Sequence, residues 1–245
     1  MPVPYPEDYF AIQLIFAHRM AALAQVSPRA ALLEHTSLYK LLGVPGDFDA
    51  TQPVWRDLLA CVDERAEAGE QARAIYRFYL NHLPSIPNAT EERHWRCFAY
   101  QWRPALGAIR IHFSNEDAPE PGALSHQRFA ARLAELRAMF AVARAEWPDA
   151  EQVIGRSWLY NLASYRRLFP PAFGASAMPV EPELQYRALW DQFLLSDGSL
   201  HRAHADDFLA RLAALTDPAC CADCFPFQVM HAHAAVGAFY AFYDV

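Results

Sequence analysis

Gly107-Ala108-Ile109-Arg110-Ile111-His112-Phe113-Ser114 is the stretch on which the fold turns. Ile109, Ile111 and Phe113 alternate with Arg110 and His112, the two-residue period of a half-buried strand. Upstream the period is different. Tyr9, Ile12, Phe16, Met20 and Leu23 recur at three- and four-residue steps and predict a helix with one apolar face. Ser27 before Pro28 is an N-cap followed by proline at the first helical position, and Pro53 opens another helix carrying Val54, Leu58, Cys61 and Val62. A further helix after Gly69 turns Ala72, Ile75, Tyr76, Tyr79 and Leu83 inward. Gly43, Pro45 and Gly46 break the chain between them.

Downstream of the strand, Glu116 to Gly122 reads as an acidic, proline-bearing turn. Ser125 caps an amphipathic helix through Phe129, Leu133, Leu136, Phe140 and Val142, which Pro148 stops. A second strand is expected over Gln152 to Tyr160, a helical turn near Tyr165 to Phe169, and a third extended piece near Arg187 to Leu194. Asp197 and Gly198 make a turn, His204 to Leu215 a helix, and the aromatic-rich Gly237 to Val245 a last strand. The whole reads as α+β: a helical N-terminal layer followed by a mixed sheet with flanking helices. Pro84 to Thr90 is the expected boundary, giving a helical domain over 1–88 and an α+β domain over 89–245.

The chain has 245 residues, a formal net charge of -7 and a single lysine, Lys40. Its arginines are scattered, which excludes nucleic acid as the expected partner, because phosphate binding needs clustered positive charge. Met1 to Asp8 carries three prolines and two acids where a signal peptide needs a basic and then an apolar segment. The apolar run Phe10 to Leu23 is interrupted by Gln13, His18 and Arg19, so no membrane span is expected. Five cysteines, with Cys220 and Cys221 adjacent, fit reduced thiols and a cytoplasmic protein.

In strand register, Arg110 and His112 face away from the apolar side. Arg156, Trp158 and Tyr160 would share a face of the second strand, with Ser157 turned to the core beside Val153 and Leu159; Trp190 and Gln192 would share a face of the third. If the three strands are neighbours, these residues converge on a small-molecule site with aromatic walls. The plainer reading is a solvated sheet face. His112 is the candidate acid-base group, since imidazole titrates near neutrality. Ser157 lies outside any nucleophile-elbow pattern. Cys221 and Cys224 have a zinc-knuckle gap, but His231 and His233 are expected to point apart, which disfavours a metal. No glycine-rich phosphate loop of either common type occurs.

The Ile109-Arg110-Ile111-His112 strand, the long helix after Ser125, Ser157-Trp158-Leu159 and Leu168-Phe169-Pro170 together resemble bacterial proteins that join a helical N-terminal domain to a GNAT-related acyltransferase domain. Phe225-Pro226 and the stretch from Gly237 extend the likeness more loosely. The resemblance implies transfer of an acyl group from acyl-CoA to a small amine or hydroxyl acceptor. His112 would be the base and Tyr160 the proton donor, with Arg110, Arg156, Trp158, Trp190 and Gln192 binding substrate. It also implies a pyrophosphate loop at a helix N-terminus, for which Asp197-Gly198-Ser199 is the stretch in that neighbourhood. The missing phosphate loop motivates a rival reading, a catalytically silent accessory protein that binds a peptide or a partner enzyme.

Overall fold

The computed structural model describes residues 4–44, 47–62, 66–86, 93–117 and 121–245. The breaks expected at Pro45 and Gly46, part of the boundary loop (87–90) and the middle of the acidic turn (118–120) lie outside the described residues. In chain order the elements are α1 (Glu7–Ala24), α2 (Pro28–His35), α3 (Leu38–Leu41), α4 (Pro53–Ala60), α5 (Ala68–His82), β1 (His94–Trp95), β2 (Phe98–Arg103), β3 (Ala108–Phe113), α6 (Phe129–Glu146), β4 (Gln152–Ser157), α7 (Ala163–Arg166), α8 (Pro171–Ala175), β5 (Met178–Pro179), α9 (Arg187–Trp190), α10 (Arg202–Ala214), β6 (Met230–Ala235) and α11 (Val236–Tyr243).

The chain forms two compact units and passes between them more than once. One takes Met1–Asn88 with Pro182–Pro226, the other Ala89–Glu181 with Phe227–Val245. A single C-terminal domain over 89–245 is therefore corrected, because 182–226 packs with the N-terminal helices.

The helical unit is built around α1, which buries Tyr9, Phe10, Ile12, Leu14, Phe16 and Met20. The amide of Gln13, fully buried on α1, is satisfied: Oε1 accepts from the Ser37 amide at 2.8 Å and hydroxyl at 2.9 Å. Ser27 caps α2 by accepting from the Ala30 amide, and Pro53 stands at the start of α4, as their residue types dictate. Arg187 to Leu194 is not a strand but α9 and a 3-10 turn, Asp191–Phe193. The reason is packing. Trp190, fully buried, meets the rings of Phe16, Phe208 and Phe225 at 5.2 to 6.0 Å, an aromatic cluster that a flat extended segment would not enter. Among the described residues no single helix is long and apolar enough to cross a membrane.

The second unit is a six-stranded mixed sheet in the order β1-β2-β3-β4-β6-β5. All neighbours are antiparallel except β3 and β4, which run parallel and are joined across the sheet by α6. On one face Phe98, Ile109, Ile111, Val153 and Ala232 pack with Met139 and Phe140 of α6 and Phe239 and Tyr243 of α11. Gly237 to Val245, expected as a strand, is helical because Val236, Phe239 and Tyr243 recur at three- and four-residue steps and bury together. The true last strand is Met-His-Ala-His-Ala-Ala, β6, whose alanines and histidines carry little strand propensity.

Ser125 precedes a 3-10 turn and takes no capping bond, so α6 starts at Phe129 rather than at the serine. What fixes this end of α6 is charge. The buried carboxylate of Asp117 meets Arg132 at 2.8 Å and Arg128 at 3.7 Å, and Arg96 bonds it from the β1–β2 turn. Arg132, itself 1% exposed, also pairs with Glu135 and donates to the Cys97 thiol.

Candidate functional site

β3 and β4 form a short ladder and then part. The paired residues are Ala108 with Gln152, Ile109 with Val153 and Arg110 with Ile154, although β3 runs on to Phe113 and β4 to Ser157. Each strand keeps its other neighbour over that length: Ile111, His112 and Phe113 stay paired with β2, and Gly155, Arg156 and Ser157 with β6. A fork therefore opens at the carboxyl ends of the two parallel strands, the position at which open parallel α/β sheets take their ligands.

The two faces of the fork differ. On the core face Tyr160 lies against Gly155, the first β4 residue past the ladder. A β-carbon at Gly155 would come within 1.9 Å of the Tyr160 hydroxyl oxygen, so glycine is what allows the phenol to reach the strand. Tyr160 hydrogen-bonds Tyr165, whose ring meets Phe113 at 5.6 Å. Burial, with the neighbouring Tyr165 adding to it, pushes the Tyr160 hydroxyl well above its usual pKa, so it stays protonated.

The opposite face is rich in guanidinium and imidazole. The ladders place Gln101, Arg110, Ile154 and His233 in one row across four strands. His112 stands in the row of His94 and Ala99, and Arg156 in that of His231 and Met178. Arg110, His112, Arg156 and His231 are half-buried and His233 is exposed. The rings of His231 and His233 lie 6.0 Å apart. Burial lowers the pKa of His231, and His233, Arg156 and Arg110 lower it further, which keeps this imidazole neutral near pH 7.

Of the residues singled out from sequence, Arg110, His112 and Arg156 do share one sheet face. Trp158 and Tyr160 do not join them on a strand. The Ser157 hydroxyl accepts from the Leu159 amide at 3.1 Å and starts a 3-10 turn, Trp158–Asn161, so the alternation ends at Ser157. Tyr160 then swings into the core, and Trp158 stacks on Phe227 at 5.5 Å. Trp190 and Gln192 sit buried in the helical unit, where the indole donates to Leu184 O and the amide to Leu189 O. They are core residues of that unit and not walls of the sheet site. Asp197-Gly198-Ser199 also belongs to the helical unit, and the Asp197 carboxylate accepts from the Ser199 amide and hydroxyl. It is a closed turn, not a phosphate cradle.

His231 and His233, expected from sequence to point apart as candidate metal ligands, are corrected: residues two apart on a strand share a face, and β6 puts both on this one. All five cysteines are free thiols. Among the described residues no three His, Cys, Asp or Glu side chains gather as a metal site. No family model matches the chain, nor does any curated protein or solved structure.

Proposed function

We propose that the sheet unit is a GNAT-like acyltransferase that carries an acyl group from a coenzyme A thioester to a small amine or hydroxyl acceptor. The observation that carries this reading is the fork, with the Tyr160 phenol on one side of it and His112 on the other. An extended thioester arm fits between parting strands, whose backbone offers the hydrogen bonds an added strand would take. His112 takes the proton of the acceptor nitrogen or oxygen. The freed lone pair attacks the thioester carbonyl carbon, the new bond to carbon forms and the C–S bond breaks. Tyr160 donates a proton to the thiolate as it leaves, and the proton held by His112 returns to the phenol through solvent before the next turnover.

The test is a thermal-shift panel of acyl-CoA thioesters followed by turnover of the one that binds. His112→Gln and Tyr160→Phe should each lower kcat about a hundredfold with the fold intact. Silence across the panel, together with a stable heterocomplex recovered by the tagged chain, would replace this reading with that of an accessory protein.

A further inference from the structure

Resting on the acyl-transfer reading, the geometry points to one class of acceptor: we infer that it is a carboxylate-bearing amine, held through its carboxylate by Arg110, with His233 two strands away in the same row and His231 in the next row of that face. Arg110 is half-buried at mid-strand, and among the described residues no carboxylate pairs with it. A guanidinium drawn partly out of water without a counter-charge is costly, and an incoming anion relieves that cost. The groups acting on His231 are His233, Arg156 and Arg110, none of them acidic, in a chain whose net charge is -7. Positive potential is thus concentrated on this face against the sign of the whole protein.

The charge count selects the anion. The Arg156 guanidinium already donates to the carbonyl of Glu181, while Arg110 offers a planar fork that matches a carboxylate bidentately. The neutral His231 imidazole adds a hydrogen-bonding group without a full charge, and Arg110 is the one guanidinium of its row, a set suited to a monoanion better than to a phosphate dianion. The position fits the chemistry as well. Arg110 is the last β3 residue of the ladder, and His112 is the next residue on the same face, at the open side of the fork. A carboxylate on Arg110 therefore leaves an amine a few bonds away beside the His112 imidazole.

The experiment separates this inference from the acyl-transfer reading because it needs no donor. Histidine ring signals of the full chain are followed by NMR during titration with acetate, with glycine and with inorganic phosphate, in wild type, Arg110→Lys and Arg110→Gln. The expected result is saturable shifts of the His231 and His233 signals by acetate and glycine. Phosphate should bind more weakly, Arg110→Lys should weaken acetate, and Arg110→Gln should weaken it by at least about tenfold. His112→Gln should keep the acetate response. Tighter binding of phosphate than acetate, no saturable shift, or an unchanged response in a folded Arg110→Gln protein overturns the inference. If acetate binds as expected but no acyl-CoA is turned over, the acyl-transfer reading fails and the carboxylate site stands.

Discussion

The Tyr160 hydroxyl rests on the backbone of Gly155, and a β-carbon at that glycine would sit 1.9 Å from the oxygen and 2.8 Å from the ring carbon that bears it. The ring cannot retreat, because Tyr165, Phe169 and Phe173 pack around it at 5.1 to 6.0 Å. Gly155→Ala is therefore expected to lower stability by about 1–3 kcal/mol, the usual cost of overpacking. Tyr160→Phe removes the nearer of the two clashing atoms. The cost of Gly155→Ala should be smaller in that background, and a double-mutant cycle by urea denaturation reads the coupling. Strict additivity would mean that the phenol does not govern this glycine.

Asp117 and the arginines around it predict the acid limb of the stability curve. Burial alone would raise this carboxyl, but the hydrogen bond from Arg96 and the charges of Arg132 and Arg128 hold it below its usual value. A carboxylate whose folded pKa is depressed stabilises above its unfolded pKa, about 3.9, and loses that contribution as pH falls through the folded value. Asp117→Asn leaves buried Arg132 with Glu135 as its remaining counter-charge and should cost about 1–3 kcal/mol at pH 7. Its urea midpoint should also depend less on pH below about 4 than that of the wild type.

Asp191 predicts a slope of the opposite sign. Burial raises its pKa to about 6, against the pull of Arg187, while the Tyr9 hydroxyl donates to it at 3.2 Å. Between about 3.9 and 6 the unfolded chain has lost this proton and the folded chain has kept it, so this group makes stability fall as pH rises through that window. Asp191→Asn still accepts from Tyr9 and should flatten the fall, which thermal melts at closely spaced pH values would show. An unchanged slope would place the titration elsewhere.

The helical N-terminal third was legible because its cues are local: Ser27 and Pro28 cap a helix, Pro53 starts one, and the apolar residues of α1 keep a helical period. β3 was legible for the same reason, since alternation needs no neighbour to be seen. What the sequence concealed is set by tertiary contact. Trp190 is held in a helical turn by rings from α1, α10 and Phe225, more than thirty residues further on. β6 is a strand because β4 and β5 pair with it on both edges, and its own composition does not announce that. The site followed the same division. Arg110, His112 and Arg156 were placed by alternation, whereas His231 and His233 were named as metal candidates pointing apart, and the pairing of β6 with β4 puts them on one face with Arg156.

Trp158 tests how the turn after β4 divides structure from function. Its ring stacks on Phe227 with the planes 13° apart and remains half-buried, so it is not one of the core residues whose removal leaves a large cavity. Trp158→Ala should therefore cost about 1 kcal/mol, the value of an aromatic pair, and not the 3 to 5 kcal/mol typical of a buried indole. The turn itself should survive, because it is held by the Ser157 hydroxyl and by the Asn161 amide, which donates to Trp158 O at 2.7 Å and to Gln228 O at 2.8 Å. The indole stands at the end of β4 where the strands part, so an acyl arm lying in the fork would run past it. The expected outcome is a nearly unchanged melting temperature with a several-fold weaker thermal-shift response to acyl-CoA, in line with about 1 kcal/mol of lost aromatic contact. A protein that melts far below wild type yet binds the thioester as well as before would make Trp158 a structural residue and take it out of the site.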